Sequence, residues 1–235
     1  MFALIRYHFL DYTKSYKYVP PIAMYFMSLL FVYAYKPTPI VPTYLETAIA
    51  LYLLSAWITV TIFHTEDPVQ EQITISHTNN ISALYVGKYI TALLICTVLS
   101  FISVIYPIIL QMFNEKMTVS LFLVGFLAHM SFSILGISIA SLFTRNMIPK
   151  ASTAWLSLTF ILLITIASIR FKKELLWFLP PVESFLMLGQ YKYNILTHTL
   201  WLTAWAIVYS FLLFTLFLFI VRKNVFNYIL KETKQ

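Results

Sequence analysis

Residues 64–87 read HTEDPVQEQITISHTNNISALYVG and form a polar segment between two long apolar runs. The segment carries three acidic side chains and no Lys or Arg. Asp67-Pro68 is typical of a helix start, with Asp as the N-cap and Pro at the first helical position. Glu71 suits the positive end of the helix dipole. We therefore predict a helix over residues 68–78, with Asn79-Asn80 as its terminator.

The chain around this segment has the composition of a membrane protein. Of its 235 residues, 60% are hydrophobic and 11% are charged, whereas a soluble domain carries about 25% charged residues. Each apolar run is about as long as a helix that crosses a bilayer core of roughly 30 Å, and none alternates as barrel strands do. We predict an all-α polytopic membrane protein with six transmembrane helices, drawn from residues 19–35, 43–63, 89–113, 118–143, 151–169 and 199–221.

No stretch outside the spans is large enough to form a soluble core, so residues 1–235 are predicted to be a single transmembrane domain. Phe and Tyr recur at helical spacing near the start of the chain, which is typical of an interfacial helix. The predicted divisions are 1–17 (interfacial helix), 18–63 (helices 1 and 2), 64–88 (coupling segment), 89–169 (helices 3–5), 170–198 (outer re-entrant or interfacial segment), 199–221 (helix 6) and 222–235 (tail).

Six spans place both termini on one side, and that side collects more Lys and Arg than the other. The positive-inside rule therefore predicts cytoplasmic termini and a multi-pass protein of the cytoplasmic membrane. The net charge of +7 is ordinary for a protein with anionic lipid neighbours. Its cations are scattered, so no nucleic-acid partner is expected.

Several kinds of chemistry have no counterpart in the sequence. No Asp, Glu, Lys or Arg lies deep in a predicted span, which disfavours ion coupling, and His129 is the one intramembrane histidine. There is no His-Glu-x-x-His metal site and no Gly-x-Ser-x-Gly elbow. Val86-Gly87-Lys88 fails as a P-loop because Ser82 replaces the first glycine and Tyr89 the hydroxyl residue. We predict no catalytic residue, no metal and no cofactor on this chain.

One predicted span carries small and polar residues at steps of three and four. This spacing places them on one helix face, where a second helix can approach closely. The predicted packing residues are Gly125, His129, Ser133, Gly136 and Ala140.

A transporter-like chain without an energy source of its own requires a partner ATPase, and the polar segment is the natural contact. A helix between two spans can receive a push from a soluble motor. The alternative is a solvated cytoplasmic loop with a short capped helix. The predicted contacts are Glu66, Asp67, Gln70, Glu71 and His77.

The layout resembles that of the type-2 ABC exporter permeases, in particular the small stand-alone permeases of Gram-positive bacteria. That family has an N-terminal interfacial helix, a coupling helix between spans 2 and 3 and short re-entrant helices between spans 5 and 6. Residues 1–17, 66–82 and 171–190 stand at these places, and Ile81–Tyr89, ISALYVGKY, is similar to the family's start of span 3. The resemblance implies two permeases, a homodimer or a pair with a homologue, bound to two ATP-binding subunits that hold ATP and Mg.

The resemblance also implies a path lined by spans 1, 2 and 5, which in this sequence is aromatic and uncharged. Such a path suits amphipathic or hydrophobic peptides, such as toxins, bacteriocins or antimicrobials. The alternative places these aromatic residues against lipid. The rival function is a non-transporting membrane sensor or assembly scaffold, which requires no lined path. An intramembrane enzyme would require a convergent group of polar residues, and the sequence shows none. The expected path residues are Tyr25, Phe26, Tyr33, Tyr52, Trp57, Trp155 and Phe160.

Overall fold

The computed structural model describes residues 1–78, 80–168, 180–190 and 194–232, with side chains as far as residue 224. Within these ranges the chain is helical and contains no strand, so the all-α prediction is confirmed. A 3₁₀ turn, Met187–Gln190, follows the eighth helix. The helices are α1 (Phe2–Lys14), α2 (Val19–Val32), α3 (Ile40–Phe63), α4 (Pro68–Thr78), α5 (Ile81–Ile109), α6 (Val119–Ser141), α7 (Ala151–Ala167), α8 (Val182–Leu186) and α9 (Ile195–Glu232).

Four of these helices are long and apolar enough to cross a membrane: α3, α5, α6 and residues 195–224 of α9. The helices α2 and α7 are apolar but shorter, with 14 and 17 residues. At about 1.5 Å per residue they extend roughly 21 and 26 Å, less than a hydrocarbon core of about 30 Å. The structure therefore has the helices of a membrane-spanning protein, and six crossings stay a prediction.

The predicted helix over residues 68–78 is confirmed, because α4 spans Pro68–Thr78. The Asp67 carboxylate caps it by accepting a hydrogen bond from the backbone N–H of Gln70 at 2.8 Å. Asn80 caps the next helix, because its side-chain oxygen accepts from the backbone N–H of Ala83 at 3.1 Å. As a result α5 begins two turns before the predicted span.

The helix α3 begins three residues before the predicted span of residues 43–63. The helix begins at Ile40, so Pro42 lies in its first turn. The first four N–H groups of a helix have no partner within it, and a proline there removes no hydrogen bond.

The helices α3 and α6 form the centre of the bundle, and two thirds of each spanning window is buried. Gly125 and Gly136 of α6 allow the close approach. A Cβ atom at Gly125 would lie 2.6 Å from the Tyr44 ring, and one at Gly136 would lie 2.5 Å from the backbone oxygen of Tyr52. The spanning part of α9 is largely exposed and apolar, as expected of a surface that meets lipid.

The helix termini gather at two ends of the bundle. At one end, which we call the α4 end, Lys17 Nζ donates to the His64 carbonyl at 2.8 Å and the Arg222 side chain donates to Ser82 at 2.5 Å. At the opposite end, the backbone N–H of Thr38 donates to the Met112 carbonyl at 2.9 Å. The helices α3, α5 and α9 therefore run from one of these two ends of the bundle to the other.

The helix α8 packs into the bundle from the opposite end. Phe185 is fully buried, and its ring lies 5.5 Å from that of Phe132 on α6. Gly189, at the close of the following turn, lies near Pro42 in the first turn of α3. The remainder of the predicted outer segment, residues 170–179 and 191–193, lies outside the described residues.

Candidate functional site

Four charged side chains from four parts of the chain meet at the α4 end. They are Glu66 before α4, Glu71 on α4, Lys88 on α5 and Arg145 between α6 and α7, and we call them the ion-pair cluster. Lys88 Nζ lies 2.8 Å from Glu66 Oε2 and 2.9 Å from Glu71 Oε1. Arg145 Nη2 lies 2.8 Å from Glu71 Oε2. The cluster is neutral, with two carboxylates bridged by two cations.

Neutral groups complete the coordination of Glu66. Tyr7 of α1 and Thr74 of α4 both donate to Glu66 Oε1 at 2.9 Å. Arg145 also donates to the Glu66 carbonyl at 2.8 Å. The cluster therefore joins α1, α4, α5 and the connection between α6 and α7. Each link is a charge-assisted or side-chain hydrogen bond inside the chain, where such bonds are strong.

Burial and the nearby cations act in opposite directions on the two carboxyl groups. Burial raises the pKa of Glu66, but the Lys88 ammonium and the hydrogen bonds from Lys88 and Thr74 outweigh it, so the pKa lies below its ordinary value. Burial likewise raises the pKa of Glu71, and here Lys88 and Arg145 together lower it below the ordinary value. Both groups are carboxylates at neutral pH.

Two histidines flank the cluster and are neutral at pH 7. Burial, together with the nearby Lys88 charge, lowers the pKa of His8 to about 4. Burial, together with the nearby Arg145 charge, lowers the pKa of His64 to about 4. Nε2 of His64 accepts a hydrogen bond from the backbone N–H of Arg145 at 2.9 Å. His64 therefore ties the end of α3 to the same connection that supplies Arg145.

The two faces of α4 differ because Glu71 points into the bundle. Its neighbours Val69 and Ile73 lie on the other face and are 66% and 53% exposed. Asp67 and His77 at the two ends of the helix are exposed as well. One face of α4 is thus held to the bundle by buried charges, and the other presents apolar and polar side chains outward.

The structure separates the five predicted ATPase contacts into two groups. Asp67, Gln70 and His77 are exposed, whereas Glu66 and Glu71 are 1% and 5% exposed and bind cations of this chain. The prediction that these two carboxylates face a partner is corrected on this point. Local sequence treated the segment as isolated, but Lys88 and Arg145 reach it from other parts of the fold.

The expected path residues are also divided. Tyr25, Tyr33 and Tyr52 are buried inside the chain, so they do not line an open surface of this chain. The hydroxyl groups of Tyr25 and Tyr52 bond Ser103 and Thr165, respectively.

The other four aromatic residues lie at or near the surface. Phe26, Trp155 and Phe160 are exposed, and Trp57 is half-buried. Trp57 on α3 meets Trp155 on α7 edge to face, with ring centroids 6.5 Å apart. Of the expected path residues, these two line a groove between α3 and α7.

The five predicted packing residues of α6 are all buried. His129 Nδ1 lies 2.7 Å from the Gly125 carbonyl and Nε2 lies 3.0 Å from Thr47 Oγ1. Because both ring nitrogens are used between α3 and α6, His129 acts as a bridge between helices. Ser133 and Ala140 lie in the same buried face.

No group of His, Cys, Asp and Glu side chains in the described part of the chain is arranged to hold a metal ion. The ionic contacts of the cluster make it a neutral, hydrogen-bonded joint between helices. No family model, no curated protein and no solved structure matches the chain.

Proposed function

We propose that this chain is the membrane-spanning permease subunit of an ATP-driven exporter and that a partner ATPase acts on it through α4. One observation carries the proposal. The inner face of α4 is fixed to α5 and to the connection between α6 and α7 by Lys88 and Arg145, while Val69 and Ile73 on its outer face are exposed. A force applied to the outer face would pass through short ionic contacts to the membrane helices.

The finer layout belongs to the same proposal. The helices α2 and α7 complete six crossings with α3, α5, α6 and α9, and α8 dips into the membrane from the outer side. The α4 end is cytoplasmic, because Lys17, Lys88, Arg145 and Arg222 gather there and positive charge favours the cytoplasmic side. Both chain termini are then cytoplasmic, in a membrane that we take to be the cytoplasmic membrane.

The functional assembly would contain two permease chains and two ATP-binding subunits, with ATP and Mg on the latter. The substrate class that we propose is an amphipathic or hydrophobic peptide. The support is the surface of α7, where Trp155 and Phe160 are 38% and 65% exposed and uncharged. An apolar surface of this kind suits a substrate that partitions into the bilayer.

Association with an ATPase tests the proposal. The proposal expects a Walker-A ATPase encoded beside the chain's own coding sequence, and the two proteins are to be co-expressed and co-purified in detergent. Ile73→Glu places a charge on the outer face of α4 and is expected to reduce recovery of the ATPase strongly. Val119→Glu is the matched control, because Val119 is 78% exposed at the start of α6, away from the α4 end.

Loss of the ATPase with Ile73→Glu and its retention with Val119→Glu support the proposal. Equal recovery with both variants contradicts the role of α4. A coding neighbourhood with a histidine kinase and no ATPase contradicts the exporter and favours a membrane sensor.

A further inference from the structure

A groove runs between α3 and α7 and opens on the surface of the bundle. It consists of two adjoining cavities of about 30 and 230 Å³, which share Trp155 and Leu158 as lining residues. The larger cavity lies beside Leu53, Trp57 and Leu163 and is almost entirely apolar.

The two ends of the groove differ in chemistry. Toward the outer end, Tyr52 and Thr165 join α3 to α7 by a hydrogen bond of 2.7 Å between their hydroxyl groups. At the α4 end the lining includes His64 and Arg145. The groove is therefore apolar along most of its length, and its polar end lies at the level of the ion-pair cluster.

Positive charge dominates that polar end. The Arg145 side chain is 23% exposed although it pairs with Glu71. Lys17 is exposed and its Nζ donates to the His64 carbonyl at 2.8 Å. Lys150 is exposed and lies between two lining residues, Pro149 and Ala151.

Glu66 points inward to Lys88, and Glu71 divides its two oxygens between Lys88 and Arg145. The surface charge at this end therefore comes chiefly from Lys17 and Lys150, with which neither carboxylate forms an ion pair. His64 at this end is neutral at pH 7. Burial first, then the charges of Arg145, Lys88 and Lys17, lower its pKa to about 4 against an opposite effect of Glu71.

We propose that this groove binds one anionic phospholipid of the adjacent leaflet, with an acyl chain along Trp57 and Trp155 and the phosphate at Lys17, Arg145 and Lys150. The length is suitable. From Ala151 to Leu163 the helix α7 rises roughly 18 Å, close to half of a hydrocarbon core of about 30 Å. An acyl chain of one leaflet therefore fits alongside, with its headgroup at the cations. This inference requires a membrane location and does not depend on the exporter.

Lipid binding to the purified full-length chain tests the inference. The delipidated protein in detergent is titrated with phosphatidylglycerol or with phosphatidylcholine of the same acyl chains, and bound lipid is counted by native mass spectrometry. We expect one phosphatidylglycerol molecule to bind about tenfold or more tightly than phosphatidylcholine, since each basic residue near a membrane surface favours an anionic lipid.

Two matched pairs of variants locate the site. Thr159→Trp fills the groove from an exposed position that lines it and is expected to weaken phosphatidylglycerol binding at least tenfold. Leu156→Trp lies on the same helix, is 72% exposed and should leave binding unchanged. The double variant with Lys17→Glu and Lys150→Glu should abolish the preference for the anionic lipid. The control double variant with Lys14→Glu and Lys223→Glu, at two exposed positions, should preserve it.

Equal binding of the two lipids overturns the proposal, as does unchanged phosphatidylglycerol binding in Thr159→Trp. Dissociation of a dimer by Thr159→Trp, with lipid binding unaffected, would instead assign the groove to a second copy of this chain. A melting temperature for each variant, measured in the same detergent, identifies any loss of lipid that is due to misfolding.

Discussion

The sharpest consequence of the structure concerns Lys88, whose side chain is fully buried between two carboxylates. Lys88→Met keeps the apolar length of the side chain and removes the charge. The cluster then holds Glu66 and Glu71 against Arg145 alone and has a net charge of −1. Glu71 keeps its contact with Arg145 at 2.8 Å, so Glu66 becomes the uncompensated charge.

Removal of one partner of a buried ion pair costs about 3–5 kcal/mol. For a chain of 150–250 residues, each kcal/mol shifts the melting temperature by about 2–4 °C. Lys88→Met is therefore expected to lower the melting temperature by on the order of 10 °C. The measurement is thermal unfolding of the purified chain in detergent at pH 7, followed by circular dichroism.

A second variant distinguishes the effect of the lost charge from the effect of the altered side-chain shape. Lys88→Met combined with Glu66→Gln restores neutrality, because Arg145 and Glu71 remain as one pair. We expect the double variant to melt well above Lys88→Met, recovering at least half of the loss. A double variant that is no more stable than Lys88→Met alone would refute the view that the uncompensated charge is what destabilises the protein.

Three further outcomes follow from the packing and the protonation states. Gly136→Leu should prevent the close contact of α3 and α6, because even a Cβ atom at Gly136 would collide with Tyr52 and Ser55, and the variant should not be recovered as a monodisperse protein. At His8 the folded chain binds fewer protons than the unfolded chain between pH 6.5 and about 4. The free energy of unfolding should therefore decrease by up to about 3 kcal/mol as the pH falls through this window. His8→Gln should flatten this part of a profile of melting temperature against pH. His129→Phe should lower the melting temperature by several degrees and leave ATPase recovery unchanged, whereas a well-folded variant that loses all function would place a reactive site at His129.

Much of the fold was predictable because the apolar runs and the helix-capping pattern are local signals. The helix α4 was predicted at its observed bounds from Asp67-Pro68, and the small residues of α6 face α3 as the spacing requires. The observed start of α3 lies three residues before the predicted span, because Pro42 occupies a first-turn position, where a proline is compatible with a helix. The sequence alone does not show whether a proline stands in the first turn of a helix or just before it.

The ion-pair cluster was not predictable by the same means. Its members are separated by up to 79 positions along the chain, and hydropathy places each of them in an ordinary connection. Lys88 was assigned to the end of the coupling segment, yet it is fully buried within α5. The absence of cations between Glu66 and Lys88 was interpreted as a sign of a partner protein, although the same pattern also fits acidic residues that pair with cations elsewhere in the chain. Which cations would arrive depended on how α5 and α6 pack.

The two carboxylates in the cluster need not be the most stable solution for this site. Well-packed apolar residues in place of a buried ion pair are often as stable, so stability alone does not account for charge at this position. A neutral joint also holds α4 at one rotation, with Glu71 inward and Val69 and Ile73 outward, whereas an apolar face would tolerate several. If the function of the cluster is to fix the rotation of α4, the double variant with Lys88→Met and Glu66→Gln should fold well. Less ATPase should nevertheless co-purify with it than with the unaltered chain. Full recovery of the ATPase by that variant would leave the cluster with a role in stability only.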